Sequence, residues 1–238
     1  EDGPEAVYDE SAVQVQEVVF VLDRFGYCKL LDKSTYERNQ ETVDTEQVHV
    51  IRCLNTDKIC LFAASGSLYQ IKAMDVPAGK LRDKGVPIEN LSKYDGTKDS
   101  IVYLTCAQDL KGATLVFATK MAMVKQVPAE EFETNNRMVA ATKLQDGDQV
   151  VSILPVEGQE EVVLQTTSGV FLRFPLEEIS VLKKASRGVR GIKLAKNEEL
   201  EKLYLIGDNP VIDYKGKEVH MNRLKLAKRD GKGSKVRL

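Results

Sequence analysis

The feature of this sequence that most constrains its fold is a short module that recurs about five times. In each copy an apolar, β-like run meets a tight turn, leaves it as a second run and ends in a basic residue. The copies occupy residues 18–31, 59–72, 114–127, 162–174 and 211–224, the last being the weakest. Their turns centre on Gly26, Gly66, Met121, Gly169 and Gly216, which lie 40, 55, 48 and 47 residues apart. A period in this range is typical of propellers and solenoids rather than of an enzyme with one core.

Each module also has a second half, which returns as a further strand-like run. These return runs occupy residues 48–54, 100–107, 150–156 and 200–207. With the longer excursion between hairpin and return run, the pattern gives four strands or so per roughly 48 residues, which corresponds to one propeller blade. The sequence therefore predicts an all-β, propeller-like disc of about five four-stranded blades over residues 17–238. The stretches that begin at Pro128 and Pro175 are interpreted as turns that follow the second strand of a module.

Residues 1–16 lack this periodicity and are predicted to form an acidic linker or arm. Residues 1–17 carry six acidic side chains and no Lys or Arg. Two hypotheses stay open for the arm. It competes with a polyanion for basic surface elsewhere in the chain, or it is a plain linker to a missing part of a longer protein, which we favour.

Several classes of function are disfavoured by composition. No apolar run approaches the ~20 residues that span a bilayer, and the acidic start lacks a signal-peptide pattern. The four cysteines form no CxxC pair, and the two histidines are far apart in sequence. We therefore expect reduced thiols, no metal site, no cofactor in this chain, no membrane partner and a cytoplasmic location.

The net charge of −2 conceals an uneven distribution. Residues 215–238 contain nine Lys and Arg against Glu218 and Asp230, a local balance of +7, so the other 214 residues sum to −9. Basic, glycine-rich loops lie at residues 79–87, 183–193 and 227–237, after the hairpins of three modules. The loop of the first module, residues 36–47, is acidic instead.

Glycine lets backbone N–H groups approach a phosphate, and Lys or Arg supplies the opposite charge. Loops of this kind bind polyanions without reading sequence, and because aromatic residues are not interleaved, the expected ligand is bent double-stranded DNA. The strongest candidates are in the last two loops: Lys183, Lys184, Arg187, Arg190, Lys193, Lys228, Arg229, Lys232, Lys235 and Arg237. A second set is Lys80, Arg82 and Lys84. A third set ends the hairpins and has bracing of the blade edges as its alternative role: Lys29, Lys72, Lys125, Arg173 and Arg223.

Other interpretations are weaker. Each basic cluster taken alone is most often solvated surface, but equivalent positions in a repeat favour a shared role. A propeller scaffold for protein–protein contacts is the main alternative, although its loops would be expected to carry apolar or aromatic anchors. The acidic pairs Glu130–Glu131 and Glu177–Glu178 are predicted to be solvated. No residue set supports a catalytic site.

At several of these motifs the chain resembles the C-terminal domain of the A subunit of bacterial type IIA topoisomerases, DNA gyrase and topoisomerase IV. The resemblance rests on GYCK at residues 26–29, SGSLYQIKAMDVP at 65–77, RDKGVPIENL at 82–91 and, most specifically, ASRGVRGIKL at 185–194. It extends in order over nearly all of residues 17–238.

The resemblance implies a β-pinwheel whose blades exchange strands and whose basic rim binds and bends DNA. Such a domain presents the transported segment to the N-terminal cleavage core of its own subunit, and an ATPase B-type subunit completes the enzyme. The catalytic tyrosine core is absent here, so this fragment is not expected to be an enzyme alone. The Gln-led, Arg- and Gly-rich heptapeptide of gyrase is missing after Tyr36, and the blade count is about five rather than six. Both departures favour topoisomerase IV or a gyrase-like subunit with impaired wrapping, and of the two we favour topoisomerase IV.

Overall fold

The structure is a computed structural model, and it describes residues 14–237. The predicted acidic arm therefore lies mostly outside the described residues. The described residues form eighteen strands: β1 Glu17–Asp23, β2 Tyr27–Asp32, β3 Gln47–Leu54, β4 Lys58–Ala63, β5 Ser67–Lys72, β6 Val86–Pro87, β7 Ile101–Cys106, β8 Thr114–Thr119, β9 Met123–Pro128, β10 Met138–Ala140, β11 Val150–Pro155, β12 Glu161–Thr166, β13 Val170–Pro175, β14 Val189–Arg190, β15 Leu200–Leu205, β16 Val211–Tyr214, β17 Lys217–His220 and β18 Ser234–Lys235.

Helices are few and short. Three are α-helical: α1 Lys33–Arg38, α2 Gln40–Glu46 and α3 Ala107–Leu110. Five single 3₁₀ turns occupy Ala73–Asp75, Ile88–Asn90, Ala129–Phe132, Leu176–Glu178 and Met221–Arg223. None of the helices in residues 14–237 has the length and apolar composition that crossing a membrane requires.

The predicted hairpins are confirmed as β1–β2, β4–β5, β8–β9, β12–β13 and β16–β17, and the predicted return strands as β3, β7, β11 and β15. Each return strand pairs with the first strand of its own hairpin. Within residues 14–237 the sheets comprise four with four strands, in the orders β3-β1-β2-β6, β10-β5-β4-β7, β11-β8-β9-β14 and β15-β12-β13-β18, and one two-stranded hairpin. The all-β architecture is thus confirmed.

In each four-stranded sheet, the edge strand that pairs with the second strand of the hairpin comes from the next module in the sequence. For example, β14 follows the hairpin β12–β13 but pairs with β9, in the register Val189↔Val124 and Arg190↔Met123. Similarly, β18 pairs with β13 through Val170↔Lys235 and Phe171↔Ser234. The exchanged strands β6, β14 and β18 lie inside the three predicted basic loops, so these loops are anchored to the preceding sheet.

The chain divides into two compact units. The first comprises the described residues up to 57 together with 72–87. It contains the sheet β3-β1-β2-β6, and a cluster of Val19, Val21, Leu31, Tyr36 and Val43 forms its core. The acidic loop predicted at residues 36–47 is largely helical, because α1 and α2 bury Tyr36 and Val43 against the sheet.

The second unit comprises residues 58–71 and the described residues from 88 onwards. Its successive sheets bury apolar side chains against one another. Phe62, Phe117 and Phe132 pack with ring centroids 5.2 to 6.3 Å apart between the second and third modules. A larger cluster joins the third and fourth modules, and Phe171 with Tyr214 begins a smaller one between the fourth and fifth. This burial holds the modules in a fixed order.

Candidate nucleic-acid interface

The basic loop of the first unit, residues 79–87, is fixed from below by a buried lysine. Lys29 lies on β2, and only 4 % of it is exposed. Its Nζ donates to the backbone oxygens of Lys80 at 2.9 Å, Leu81 at 2.9 Å and Asp83 at 2.5 Å. Burial lowers the pKa of Lys29. Through its three hydrogen bonds, the Lys29 side chain orders the loop backbone.

The loop at residues 183–193 in the second unit has the same internal support. Lys125 on β9 is 1 % exposed, and its Nζ donates to the oxygens of Lys183 at 3.2 Å, Lys184 at 3.0 Å and Ser186 at 2.6 Å. Burial lowers the pKa of Lys125 to about 8, while the carboxylate of Glu131 opposes that shift. At neutral pH a buried positive charge therefore lies directly beneath this loop.

Carboxylates of the 3₁₀ turns also hold the basic loops. Glu131 Oε1 accepts a hydrogen bond from the backbone N–H of Lys184 at 3.1 Å. The equivalent Glu178 Oε1 accepts one from the N–H of Arg229 at 3.0 Å. The prediction that these acidic pairs are simply solvated is wrong for Glu131 and Glu178, because sequence spacing alone does not show that the next module's loop lies beside them.

Glycine has a packing role in these loops. Gly188 has φ +90°, and a Cβ placed there would lie 2.5 Å from the backbone oxygen of Val124 on β9. Its N–H already donates to Ser186 Oγ at 3.0 Å. Gly85 stands in the equivalent position against Cys28 on β2. The absence of a side chain thus lets the loop approach the preceding sheet, a role that is separate from exposing backbone N–H groups to phosphate.

The last two basic loops lie side by side. Ile192 and Gly231 form a parallel bridge, supported by bonds from Lys193 N to Gly231 O at 2.9 Å and from Asp230 N to Gly191 O at 2.8 Å. We call residues 183–193 and 228–237 the paired basic loops. They bring together two stretches of the chain that the sequence separates by about 40 residues.

Two arginines join the paired basic loops to each other. The guanidinium of Arg190 makes a two-pronged ion pair with the carboxylate of Asp230, and its hydrogen bond holds the pKa of Asp230 below the usual value. Arg229 Nη1 donates to the backbone oxygen of Arg190 at 2.7 Å. Part of the charge of these two arginines is therefore used inside the protein.

The candidate residues differ in their exposure to solvent. Lys29 and Lys125 are buried. Arg173 is half-buried and donates to the backbone oxygens of Asn222 and Leu224 and to Glu161, so these three side chains brace the sheets. Lys184 and Arg229 are also half-buried. The others are exposed: Lys183, Arg187, Arg190, Lys193, Lys228, Lys232, Lys235, Arg237, Lys80, Arg82, Lys84, Lys72 and Arg223.

A groove of about 710 Å³ opens beside the paired basic loops, and four lysines line it. Lys193, Lys232 and Lys235 are among the predicted residues, whereas Lys196 is not. The signal for Lys196 is weak, because it lies three residues beyond the basic cluster and is followed by Glu198 and Glu199. Among residues 14–237, no group of three His, Cys, Asp or Glu side chains is arranged to hold a metal ion.

Comparison with known proteins identifies a family whose model matches two of the repeated modules. The family model described as "DNA gyrase C-terminal domain, beta-propeller" matches residues 113–157 and 160–206, which are two of the modules. The gyrase A protein of Staphylococcus aureus strain MRSA252 is 27 % identical over 254 residues, which cover 98 % of this chain and 29 % of the relative. The strain NCTC 8325 protein gives the same identity and 28 % coverage. The chain thus spans under a third of these relatives.

Three solved structures share the fold. The C-terminal domain of DNA topoisomerase IV has a TM-score of 0.82 and 22 % identity, covering 93 % of this chain and 73 % of that one. The E. coli ParC C-terminal domain has a TM-score of 0.74 and 14 % identity, covering 93 % of this chain and 94 % of that one. The DNA gyrase A C-terminal domain has a TM-score of 0.62 and 20 % identity, covering 92 % of this chain and 76 % of that one. In sequence and in its β-pinwheel fold, the chain is therefore confirmed to resemble the C-terminal domains of the A subunits of bacterial type IIA topoisomerases.

Proposed function

We propose that this chain is the non-catalytic DNA-binding domain of a type IIA topoisomerase A subunit, and that the paired basic loops bind double-stranded DNA. The observation that supports this most is the parallel bridge between Ile192 and Gly231, which joins two basic loops into one surface. Phosphates of one duplex segment then meet cations from both loops. Binding of this kind gives affinity without reading sequence.

The buried groups support the same proposal. Flexible loops lose entropy when they bind, whereas the loop at residues 183–193 is already held by Lys125, Glu131 and the close approach of Gly188. Preorganised loops bind with a smaller entropic cost. In this proposal Lys29, Lys125 and Arg173 act by positioning the backbone, and the exposed cations contact DNA.

The experiment is a salt series of equilibrium binding to a duplex of about 40 base pairs. The test variant replaces four exposed cations of the paired basic loops by glutamine: Arg187, Lys193, Lys232 and Lys235. Loss of four phosphate contacts is expected to reduce the slope of log K against log salt by about 3 to 4 and to weaken binding by roughly 100-fold to 1000-fold at 0.1 M salt.

A control of equal charge replaces Lys93, Lys98, Lys111 and Lys202, which are exposed cations outside the basic loops, by glutamine. It is expected to change affinity by less than about threefold, because unspecific charge acts only through a screened field. Equal losses in both variants, or no binding by the wild type at low salt, would contradict the proposal. The protein-scaffold function would then become the leading alternative.

Bending of the bound duplex is part of the proposal, because a duplex that curves toward the protein can make more phosphate contacts than a straight one. Fluorescence transfer between dyes at the two duplex ends measures this directly. We expect transfer to rise on binding of the wild type and to stay at the free-duplex value with the glutamine variant at the same salt.

We further propose that the full-length protein, with its cleavage core and an ATPase partner, acts in the nucleoid as a topoisomerase IV rather than as a gyrase. The support lies in the first unit, where α1 and α2 occupy the place of the basic gyrase heptapeptide and carry exposed Glu37, Glu41, Asp44 and Glu46. The reconstituted enzyme is expected to decatenate and relax DNA. ATP-dependent negative supercoiling of a relaxed plasmid would show gyrase activity instead.

A further inference from the structure

One aromatic side chain in the first unit is exposed without a folding reason. Phe25, at the tip of the β1–β2 hairpin, is 70 % exposed, which is the largest value among the big apolar residues described. A single exposed apolar residue is ordinary by itself, but an aromatic ring next to basic side chains is the combination on which nucleobases stack.

The turn itself does not require phenylalanine. Gly26 N donates to Asp23 O at 3.2 Å, and the same three-residue bond recurs at the tips of three other hairpins, from Gly66, Ala122 and Gly169. The residues in the place of Phe25 in those turns are Ser65, Met121 and Ser168. Serine is therefore sufficient for this turn.

The tip is rigid. Asp23 Oδ1 accepts hydrogen bonds from the backbone N–H of Phe25 at 2.8 Å and of Tyr27 at 3.0 Å. The aromatic ring of Phe25 is thus displayed on a fixed backbone, which reduces the entropy lost when the ring binds a flat partner.

Two cations lie against aromatic rings of this hairpin. The guanidinium carbon of Arg24 lies 4.7 Å from the centroid of the Phe25 ring, and Lys84 Nζ lies 4.2 Å from the centroid of Tyr27. Lys84 belongs to the basic loop at residues 79–87, which runs beside β2 with Tyr27 opposite Pro87. The exposed Phe25 ring therefore has one cation against it, and a second cation lies against the ring two residues further along the chain; both are of the kind that bind phosphate.

We propose that Phe25 is a base-stacking site, which takes a nucleobase of a kinked or unstacked step in the bound duplex. Arg24 and Lys84 contact the phosphates that flank this step. The inference rests on the proposed DNA binding and adds a preference for deformed DNA to it. Apolar wedges of this kind are used by proteins that kink duplexes, and base–aromatic stacking tolerates any sequence.

The test compares two duplexes of the same length, one fully paired and one with a single-nucleotide bulge at its centre. The wild type is expected to prefer the bulged duplex by about tenfold, the factor that stacking of one base supplies. Phe25→Ser, which reproduces the residue of two other tips, is expected to abolish this preference. Its affinity for the paired duplex is expected to stay within about threefold of the wild type and its salt slope to stay unchanged, because only phosphate contacts set that slope.

A second variant gives a direct signal. The chain contains no tryptophan, so Phe25→Trp introduces a single indole at the tip. Its emission is expected to be quenched when the bulged duplex saturates the protein. Unchanged emission at saturation, or an undiminished preference in Phe25→Ser, would overturn the stacking site while leaving DNA binding intact. Absence of binding by the wild type to either duplex would instead overturn the proposed function. If Phe25→Ser changed only the oligomeric state of the protein, measured by size-exclusion chromatography, the ring would be assigned to a protein contact and the proposal would also be overturned.

Discussion

Gly188→Ala is expected to lower the free energy of unfolding by about 3 kcal/mol, because two penalties add at this position. The backbone at φ +90° disfavours any side chain, and the new Cβ would lie 2.5 Å from the Val124 oxygen on β9. The clash involves backbone on both sides, so no flexible side chain can move away. Urea unfolding followed by circular dichroism measures the loss.

The matched control is Gly112→Ala. Gly112 also has positive φ, +71°, but no atom lies within 4 Å of the place that the new methyl group would take. It is therefore expected to cost only the backbone penalty, about 1 kcal/mol. Gly188→Ala should also weaken DNA binding, since the exchanged strand β14 and the loop around it must move away from β9. Equal destabilisation by the two substitutions would show that the close approach at Gly188 contributes nothing.

Lys125→Met is expected to destabilise the protein by about 2 kcal/mol at pH 7, because three backbone oxygens lose their shared donor while the aliphatic volume is kept. The control is Lys183→Met, which removes an exposed lysine from the same loop and is expected to leave stability unchanged within about 0.5 kcal/mol. A loss in Lys125→Met no larger than in the control would contradict the bracing role.

The same pair of proteins has a predicted pH dependence. Burial lowers the folded pKa of Lys125 to about 8, below the ordinary 10.5 of the unfolded chain, and the carboxylate of Glu131 opposes this shift. Between these two values the unfolded state binds more protons, so raising the pH favours the folded state. The stability of the wild type relative to Lys125→Met should therefore rise from pH 8 to about 10.5, by at most about 1.4 kcal/mol per pH unit. A flat difference would mean that the ammonium is not buried.

Much of the fold follows from the sequence, because each hairpin combines two apolar runs with a turn that needs positive φ. In the third module Ala122, with φ 67°, takes the place of glycine, so the sequence places this turn one residue early, at Met121. The helices α1 and α2 escape prediction because they are short and their two buried residues, Tyr36 and Val43, are a weak periodic signal. Exchanged strands of two or three residues have no periodicity at all.

The candidate site is less predictable than the fold. Charge clusters identify the paired basic loops, but no sequence signal shows that residues 40 apart form one surface. Lys29 and Lys125 resemble hairpin-end cations in sequence, yet each lies in the middle of an otherwise buried strand. A lysine flanked by buried apolar neighbours, as in the YCKLL of residues 27–31, is better interpreted as an internal donor that holds another segment.

Because strands are exchanged, one repeat of the sequence does not correspond to one complete sheet of the fold. A duplication of residues 114–156 would copy the hairpin β8–β9 and its return strand β11. It would not copy β14, which completes the same sheet. After such an event the module at the new junction must supply the two-residue strand that pairs with the preceding hairpin. The number of blades in proteins built this way is therefore expected to change by whole modules whose exchanged strands fit their new neighbours. A substitution in a basic loop that alters ligand binding also alters the edge strand of the preceding module's sheet.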